Sequence, residues 1–210
     1  MWKPDLNSQN TISSIPMNAL YIKTINEDKV SSVTWNNQVA STLAVGYNSG
    51  EIIIWDVEVQ KPIRTYTNHE QRVGSLDWLG PLLTSGSRDK SIISRDLRCP
   101  CQTIFKWEYH KQEVCGVSWS PEGCGMDGLL ASGGNDNLLL IWRLGYDQPI
   151  LAAVKAIAWS PFHAGILATG GGTNDRSVRL WDIKTNNFTK NIDAATSNVK
   201  AFTDTGSQVI

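Results

Sequence analysis

The stretch from Val114 to Arg143 contains three short strings, VCGVSW (Val114–Trp119), LLASGGND (Leu129–Asp136) and NLLLIWR (Asn137–Arg143), and each of them recurs through the chain. Relatives of the first string end at Trp35, Trp78 and Trp159, so successive copies lie 43, 41 and 40 residues apart. Relatives of the last string close at Trp55, Arg95 and Trp181. This regular spacing indicates internal repeats of about 40 residues.

Each repeat is predicted to contain three strands, and most are followed by a weaker fourth. The copies LAVGYNSG, LLTSGSRD, LLASGGND and LATGGGTND each have the composition of a strand that ends in a glycine-bearing turn. A weaker fourth strand is predicted within residues 61–67, 101–109 and 187–193. Four short strands repeating every 40 to 45 residues or so are typical of WD-repeat β-propeller blades. The sequence therefore predicts an all-β fold.

The repeats also divide the chain. Residues 1–28 form an N-terminal segment compatible with the end of a preceding blade, residues 29–193 contain the WD-repeat blades, and residues 194–210 resemble the truncated start of a further blade. We expect most of the tryptophans to be core anchors. Trp2 and Trp107 belong to neither series, which makes them candidates for exposed positions.

Composition excludes several classes of function. The chain has 19 basic and 20 acidic residues and a net charge of -1, so no broad electrostatic surface for nucleic acid or lipid is expected. Its four cysteines, Cys99, Cys101, Cys115 and Cys124, follow no apolar leader, which favours a reducing intracellular compartment. We expect no cofactor and no membrane partner.

The repeat from His110 to Trp142 has a complete set of polar blade residues. We predict that Asp136 orients His110, that the imidazole meets the Ser132 hydroxyl, and that this hydroxyl accepts the Trp142 indole N–H. Other repeats have incomplete sets. The second has His69, Ser85 and Asp89 but Arg95 in place of tryptophan, the fourth has Thr169, Asp175 and Trp181 but no histidine, and the first has Trp55 without the turn aspartate.

Three other kinds of chemistry have weaker support in the sequence. A serine, a histidine and an aspartate together resemble a hydrolase triad, but a triad would not recur with each blade. Cys99 and Cys101 with His110 could begin a zinc site, although their spacing is shorter than usual. The glycine-rich residues 170–175 lack the lysine and following helix of a phosphate-binding loop. We predict no catalytic residue and no metal site.

Several strings go beyond a general WD pattern. LLTSGSRDKSI (82–92), QEVCGVSW (112–119), LLASGGNDN (129–137), AVKAIAWSPF (153–162) and ILATGGGTNDR (166–176) together resemble the Fizzy and Fizzy-related family. These are the cell-division-cycle activators of the anaphase-promoting complex. The resemblance implies part of a seven-bladed propeller, about four full blades plus fragments, that presents degron-bearing substrates to a ubiquitin ligase in the nucleus and cytoplasm. Mitotic checkpoint proteins are further candidate partners.

The resemblance also implies a binding site for Lys-Glu-Asn degrons. Asn135 and Thr173 match the family's contacts in the turns between second and third strands. The alternative is that both residues satisfy only their own turns.

The sequence departs from the family at several points. It shows neither the N-terminal docking motif nor the Ile-Arg tail, and the fourth strand after Trp142 is shortened. We therefore expect an open arc of blades with an incomplete destruction-box pocket. A general WD-repeat scaffold, or a non-functional fragment of the adaptor, remains the alternative function.

Overall fold

The fold consists of four sheets of four strands each. The computed structural model describes residues 28–99, 103–121, 128–144, 150–152, 156–160, 163, 165–170, 177–185 and 187–193. Every sheet is an antiparallel meander of consecutive strands. The first two sheets contain β1 (Val30–Trp35), β2 (Thr42–Tyr47), β3 (Ile52–Asp56) and β4 (Lys61–Tyr66), then β5 (Val73–Leu79), β6 (Leu82–Ser87), β7 (Ile92–Asp96) and β8 (Thr103–Trp107).

The other two sheets repeat this arrangement. They contain β9 (Val114–Trp119), β10 (Leu129–Gly134), β11 (Leu139–Arg143) and β12 (Ile150–Ala152), then β13 (Ala156–Trp159), β14 (Ile166–Gly170), β15 (Ser177–Asp182) and β16 (Asn187–Asp193). The predicted fourth strands are present as β4, β8 and β16. The fourth strand after Trp142 is only the three-residue β12.

Local turn chemistry explains the hairpins between second and third strands. In the first three sheets this turn contains a residue with a left-handed backbone, Gly50 (φ 93°), Lys90 (φ 76°) or Asn137 (φ 61°). In two of these turns an aspartate accepts a hydrogen bond from the backbone two residues ahead, from Ser91 to Asp89 (2.9 Å) and from Leu138 to Asp136 (3.1 Å). Such side-chain contacts favour tight turns over continued strands.

The sheets pack face to face through their first strands. β1 contacts β5, β5 contacts β9, and β9 contacts β13. The indole of Trp78 donates a hydrogen bond to the carbonyl of Thr34 in the preceding sheet (3.4 Å), and Trp159 donates in the same way to Ser118 (3.0 Å). The apolar core lies between adjacent sheets, as where Ala44 and Ile54 cluster with residues of the second sheet. These are blades of a β-propeller, as the sequence predicts.

The joint between the second and third sheets has additional polar contacts. Alternate backbone N–H groups of β9 donate to side chains of β5, Val117 to Ser75 (3.1 Å) and Trp119 to Asp77 (2.7 Å). Side chains of β5 thus accept hydrogen bonds from backbone N–H groups on the free edge of β9, where no neighbouring strand pairs with them.

The prediction that the first-strand tryptophans are core anchors is right for β5, β9 and β13 and wrong for β1. Trp78, Trp119 and Trp159 are 3, 5 and 7% exposed, but Trp35 is 55% exposed. Each buried indole packs against the preceding sheet, whereas no described sheet precedes β1.

Trp107, a candidate for an exposed position, is buried. It is only 4% exposed, because its ring stacks on Phe105 (5.2 Å between centroids) and on Trp142 (5.0 Å). Trp107 therefore anchors the outer strand β8 to the joint with the third sheet. Trp2 lies outside the described residues.

Candidate functional site

The four polar residues of the third sheet form one connected chain of hydrogen bonds. Nδ1 of His110 lies 3.0 Å from Oδ2 of Asp136, and Nε2 lies 2.9 Å from the Ser132 hydroxyl. The Trp142 indole donates to the same hydroxyl (2.8 Å). The structure therefore brings together the loop before β9, β10, the following turn and β11.

Burial and hydrogen bonding set the protonation states of His110 and Asp136 in this hydrogen-bonded chain. Burial lowers the pKa of His110, and the carboxylate of Asp136 offsets this only in part. Burial also opposes ionisation of Asp136, but N–H donors from Lys111 and Leu138 and the His110 ring outweigh it and lower the pKa of Asp136. A neutral imidazole that donates to an ionised carboxylate is consistent with both shifts.

The second sheet has the same arrangement except for its last member. His69 Nδ1 lies 2.8 Å from Asp89, and Nε2 lies 2.8 Å from Ser85. Burial opposes ionisation of Asp89, but hydrogen bonds from His69 and Ser91 keep the pKa of Asp89 well below its usual value. Arg95 is 4% exposed and stacks over the ring of Tyr66 in the first sheet (4.8 Å). The arginine thus makes an inter-sheet contact in place of the indole hydrogen bond.

The remaining two sheets have shorter versions. In the fourth sheet the Trp181 indole donates to the Thr169 hydroxyl (2.8 Å), and Asp175 lies outside the described residues. In the first sheet Val45 occupies the position of Ser132, so the buried indole nitrogen of Trp55 meets no hydroxyl at that position.

Burial argues against a catalytic role for these groups. Ser132 and Ser85 are both fully buried, and each hydroxyl is already engaged by neighbouring side chains or backbone. A nucleophile must reach its substrate, so the arrangement is suited to holding strands in register. The described residues contain no cluster of three potential metal ligands, while Cys101 and Cys124 lie outside them. No helix in the described part of the chain is long and apolar enough to cross a membrane.

The candidate site lies at the end of the propeller where second and third strands turn, which we call the turn face. Asn135 is half-buried in the β10–β11 turn, and its backbone N–H donates to the carbonyl of Glu113 (2.8 Å). The neighbouring Gly134 has no room for a Cβ, which would lie 2.7 Å from both Asp136 and His110. The hydrogen-bonded chain of His110, Asp136, Ser132 and Trp142 therefore fixes the position of Asn135. Thr173 lies outside the described residues.

Sequence reasoning missed another part of the turn face. A cavity of about 370 Å³ between the first and second sheets is lined by Asn48, Ser49, Glu70, Gln71, Arg72 and Arg88. Arg72 also forms an ion pair with Glu113, which immediately precedes β9, and its Nε lies 3.0 Å from the carboxylate. Asn48 and Arg88 occupy the repeat position of Asn135, so alignment of the repeats contained a signal for this surface.

Comparison with known proteins places these features in a family. The sequence model for the anaphase-promoting complex subunit 4 WD40 domain matches residues 7–80, and that for the WD domain, G-beta repeat, matches residues 101–143 and 150–182. The Arabidopsis thaliana protein FIZZY-RELATED 2 is 48% identical over 173 residues, 80% of this chain. The chain belongs to the Fizzy and Fizzy-related family.

A further relative and a solved structure agree with this assignment. The Medicago truncatula B-type cell cycle switch protein ccs52B is 39% identical over 207 residues, which is 90% of this chain and 42% of that protein. A chain in the crystal structure of the mitotic checkpoint complex superimposes with a TM-score of 0.77 and 39% identity, covering 83% of this chain and 54% of that one. The chain spans about a third of FIZZY-RELATED 2, 35% of its length.

Proposed function

We propose that the protein is a substrate-recognition adaptor and activator of the anaphase-promoting complex in cell-cycle control. The observation that carries the proposal is the similarity to FIZZY-RELATED 2, 48% identical over a stretch equal to 80% of this chain. The likeness to a chain of the mitotic checkpoint complex is further support. The adaptor binds short degron peptides on its turn face and catalyses no reaction itself, since ubiquitin transfer belongs to the ligase.

The partners follow from the same proposal. They are subunits of the anaphase-promoting complex, degron-bearing substrates and mitotic checkpoint proteins, and the sites of action are the nucleus and the cytoplasm. Capture of the endogenous ligase by the tagged chain, with a fluorescent fusion to report its location, tests these points. Absence of ligase subunits from the captured material would contradict them.

Asn135 and Thr173 are the proposed contacts for the Lys-Glu-Asn degron. The turn around Asn135 supports the role because a peptide backbone can approach beside Gly134 and the side-chain amide can bond to a polar degron residue. In a fluorescence-anisotropy titration we expect saturable binding of a Lys-Glu-Asn peptide and none of its scrambled form. Asn135→Ala and Thr173→Ala should each weaken binding by about tenfold, the equivalent of roughly one lost hydrogen bond.

A matched control is available at the other end of the molecule. Asn37 is exposed and follows β1, so Asn37→Ala should leave degron binding unchanged. If both degron-site variants bind as the unaltered chain does, or if the scrambled peptide binds equally well, the function is that of a general WD-repeat scaffold.

A further inference from the structure

A second cavity lies at the opposite end of the first strands from the turn face. Its volume is about 380 Å³, and its walls include Trp78, Trp119 and Trp159 at the ends of β5, β9 and β13. Because three successive sheets contribute walls, this cavity exists only where the sheets are assembled. Its volume is in the range of about 300–1,000 Å³ that small-ligand sites occupy.

Asp77 is the only charged residue among the described residues that line this cavity. Its two carboxylate oxygens accept backbone N–H groups, from Trp78 (2.9 Å) and from Trp119 (2.7 Å). No salt bridge within the described part of the chain involves Asp77. Burial raises the pKa of Asp77 to about 6 in spite of the hydrogen bonds. The half-buried carboxylate, which Ser118 also hydrogen-bonds, therefore has no counter-charge among the described residues.

The repeat itself does not require a carboxylate at this position. Thr34, Ser118 and Ala158 stand at the equivalent place in the other sheets, immediately before the first-strand tryptophan. The joints on either side are closed by the indole hydrogen bonds of Trp78 and Trp159 to backbone carbonyls. A partly buried charge without a counter-charge costs free energy, and an incoming cation would reduce that cost.

We propose that this cavity binds a basic side chain of a partner protein, an arginine or a lysine, with Asp77 as its counter-ion. A guanidinium or ammonium group forms charge-assisted hydrogen bonds with a carboxylate. Cations are also attracted to indole rings, of which three line the cavity. The site is separate from the turn face, so it does not depend on degron binding.

The test uses the full chain and three small probes. N-acetyl-arginine amide and N-acetyl-lysine amide carry the cation, and N-acetyl-citrulline amide is the neutral match for arginine. Three tryptophans line the cavity, so intrinsic fluorescence should report saturable binding of at least one cationic probe and none of citrulline. Affinity should fall about tenfold from pH 7 to pH 5, because a carboxyl with a pKa of about 6 loses its charge over that interval.

A variant separates this site from the degron site. Asp77→Asn should abolish binding of the cationic probes, whereas Asn135→Ala should retain it. If Asp77→Asn does not fold, the pH profile of the unaltered protein still decides. Equal binding of citrulline, affinity that is constant between pH 7 and pH 5, retained binding by folded Asp77→Asn, or no saturable binding of either cation would each overturn the proposal.

Discussion

At the residue scale, one buried hydroxyl of the third sheet connects the turn face to the core of its blade. Ser132 receives the indole N–H of Trp142 and meets the imidazole of His110, whose other nitrogen contacts Asp136 in the turn beside Asn135. Buried polar groups contribute to stability only while every member has a partner. The same hydroxyl position is Ser85 in the second sheet and Thr169 in the fourth. Loss of the hydroxyl should therefore affect both folding and the position of Asn135.

Ser132→Ala should lower the free energy of unfolding by about 2–4 kcal/mol, because it leaves the buried indole N–H and the imidazole nitrogen without partners. Urea denaturation followed by tryptophan fluorescence measures this difference. Thr65→Ala, at an exposed position of β4, is the control and should change stability by less than about 0.5 kcal/mol. Similar stabilities for the two variants would show that the polar chain contributes little.

At the element scale, the first strands serve both as sheet members and as the joints between sheets. Trp78 and Trp159 place an indole against the preceding first strand and donate to its backbone. The Trp119 indole instead donates to Thr84 (3.0 Å), while its backbone N–H donates to Asp77. Trp35 has the same position within its strand but has no preceding sheet among the described residues to pack against. Equivalent residues thus differ in energetic role according to what lies next to their sheet.

The pair Trp78 and Trp35 allows a direct comparison. Trp78→Ala should cost about 3–5 kcal/mol, because it removes a large buried side chain at a joint between sheets. Trp35→Ala should change the free energy of unfolding by about 0.5 kcal/mol or less, because Trp35 is 55% exposed. Thermal unfolding monitored by circular dichroism ranks the two variants. A comparable loss in both would mean that the face of the first sheet is covered in solution.

At the scale of the whole molecule, burial of charge makes stability depend on pH. The pKa values of His110, Asp89 and Asp136 are lower in the folded state than in the unfolded chain. The folded state therefore loses stability as pH falls, beginning at about pH 6.5 for the histidine and at about pH 4 for the two carboxyls. Asp77 has the opposite sign, because its pKa is raised to about 6. Between about pH 6 and 4 the native state binds the Asp77 proton and the unfolded chain does not, so this group adds stability as pH falls.

The contribution of Asp77 can be isolated with Asp77→Asn. The free energy of unfolding of the unaltered chain, minus that of the variant, should rise by up to about 1.4 kcal/mol per pH unit from pH 6 to pH 4. The His110 contribution is common to both proteins and cancels in this difference. Urea denaturation at half-unit pH intervals measures it. A difference that is flat or falls with decreasing pH would contradict the raised pKa.

Much of the fold follows from the sequence because its repeat is local. The 40-residue period fixes which segments become first, second and third strands. The polar chain follows as well, since His110, Ser132, Asp136 and Trp142 all belong to one repeat and the hairpins set their separation. Asn135 follows from its position in the same hairpin. The contacts of Asn135 and Thr173 with a degron stay predictions.

Contacts between sheets could not be predicted in this way. Burial of Trp107, exposure of Trp35, the bond from Trp119 to Asp77 and the cavity beside Arg88 each depend on which sheet is adjacent and on the side chains it presents. The sequence by itself determined the strands, the turns and the hydrogen-bonded chain within a blade, because hairpin register is a short-range property. Only the tertiary structure decided which indoles are buried and which charge lacks a partner, because burial is set by residues from a different repeat.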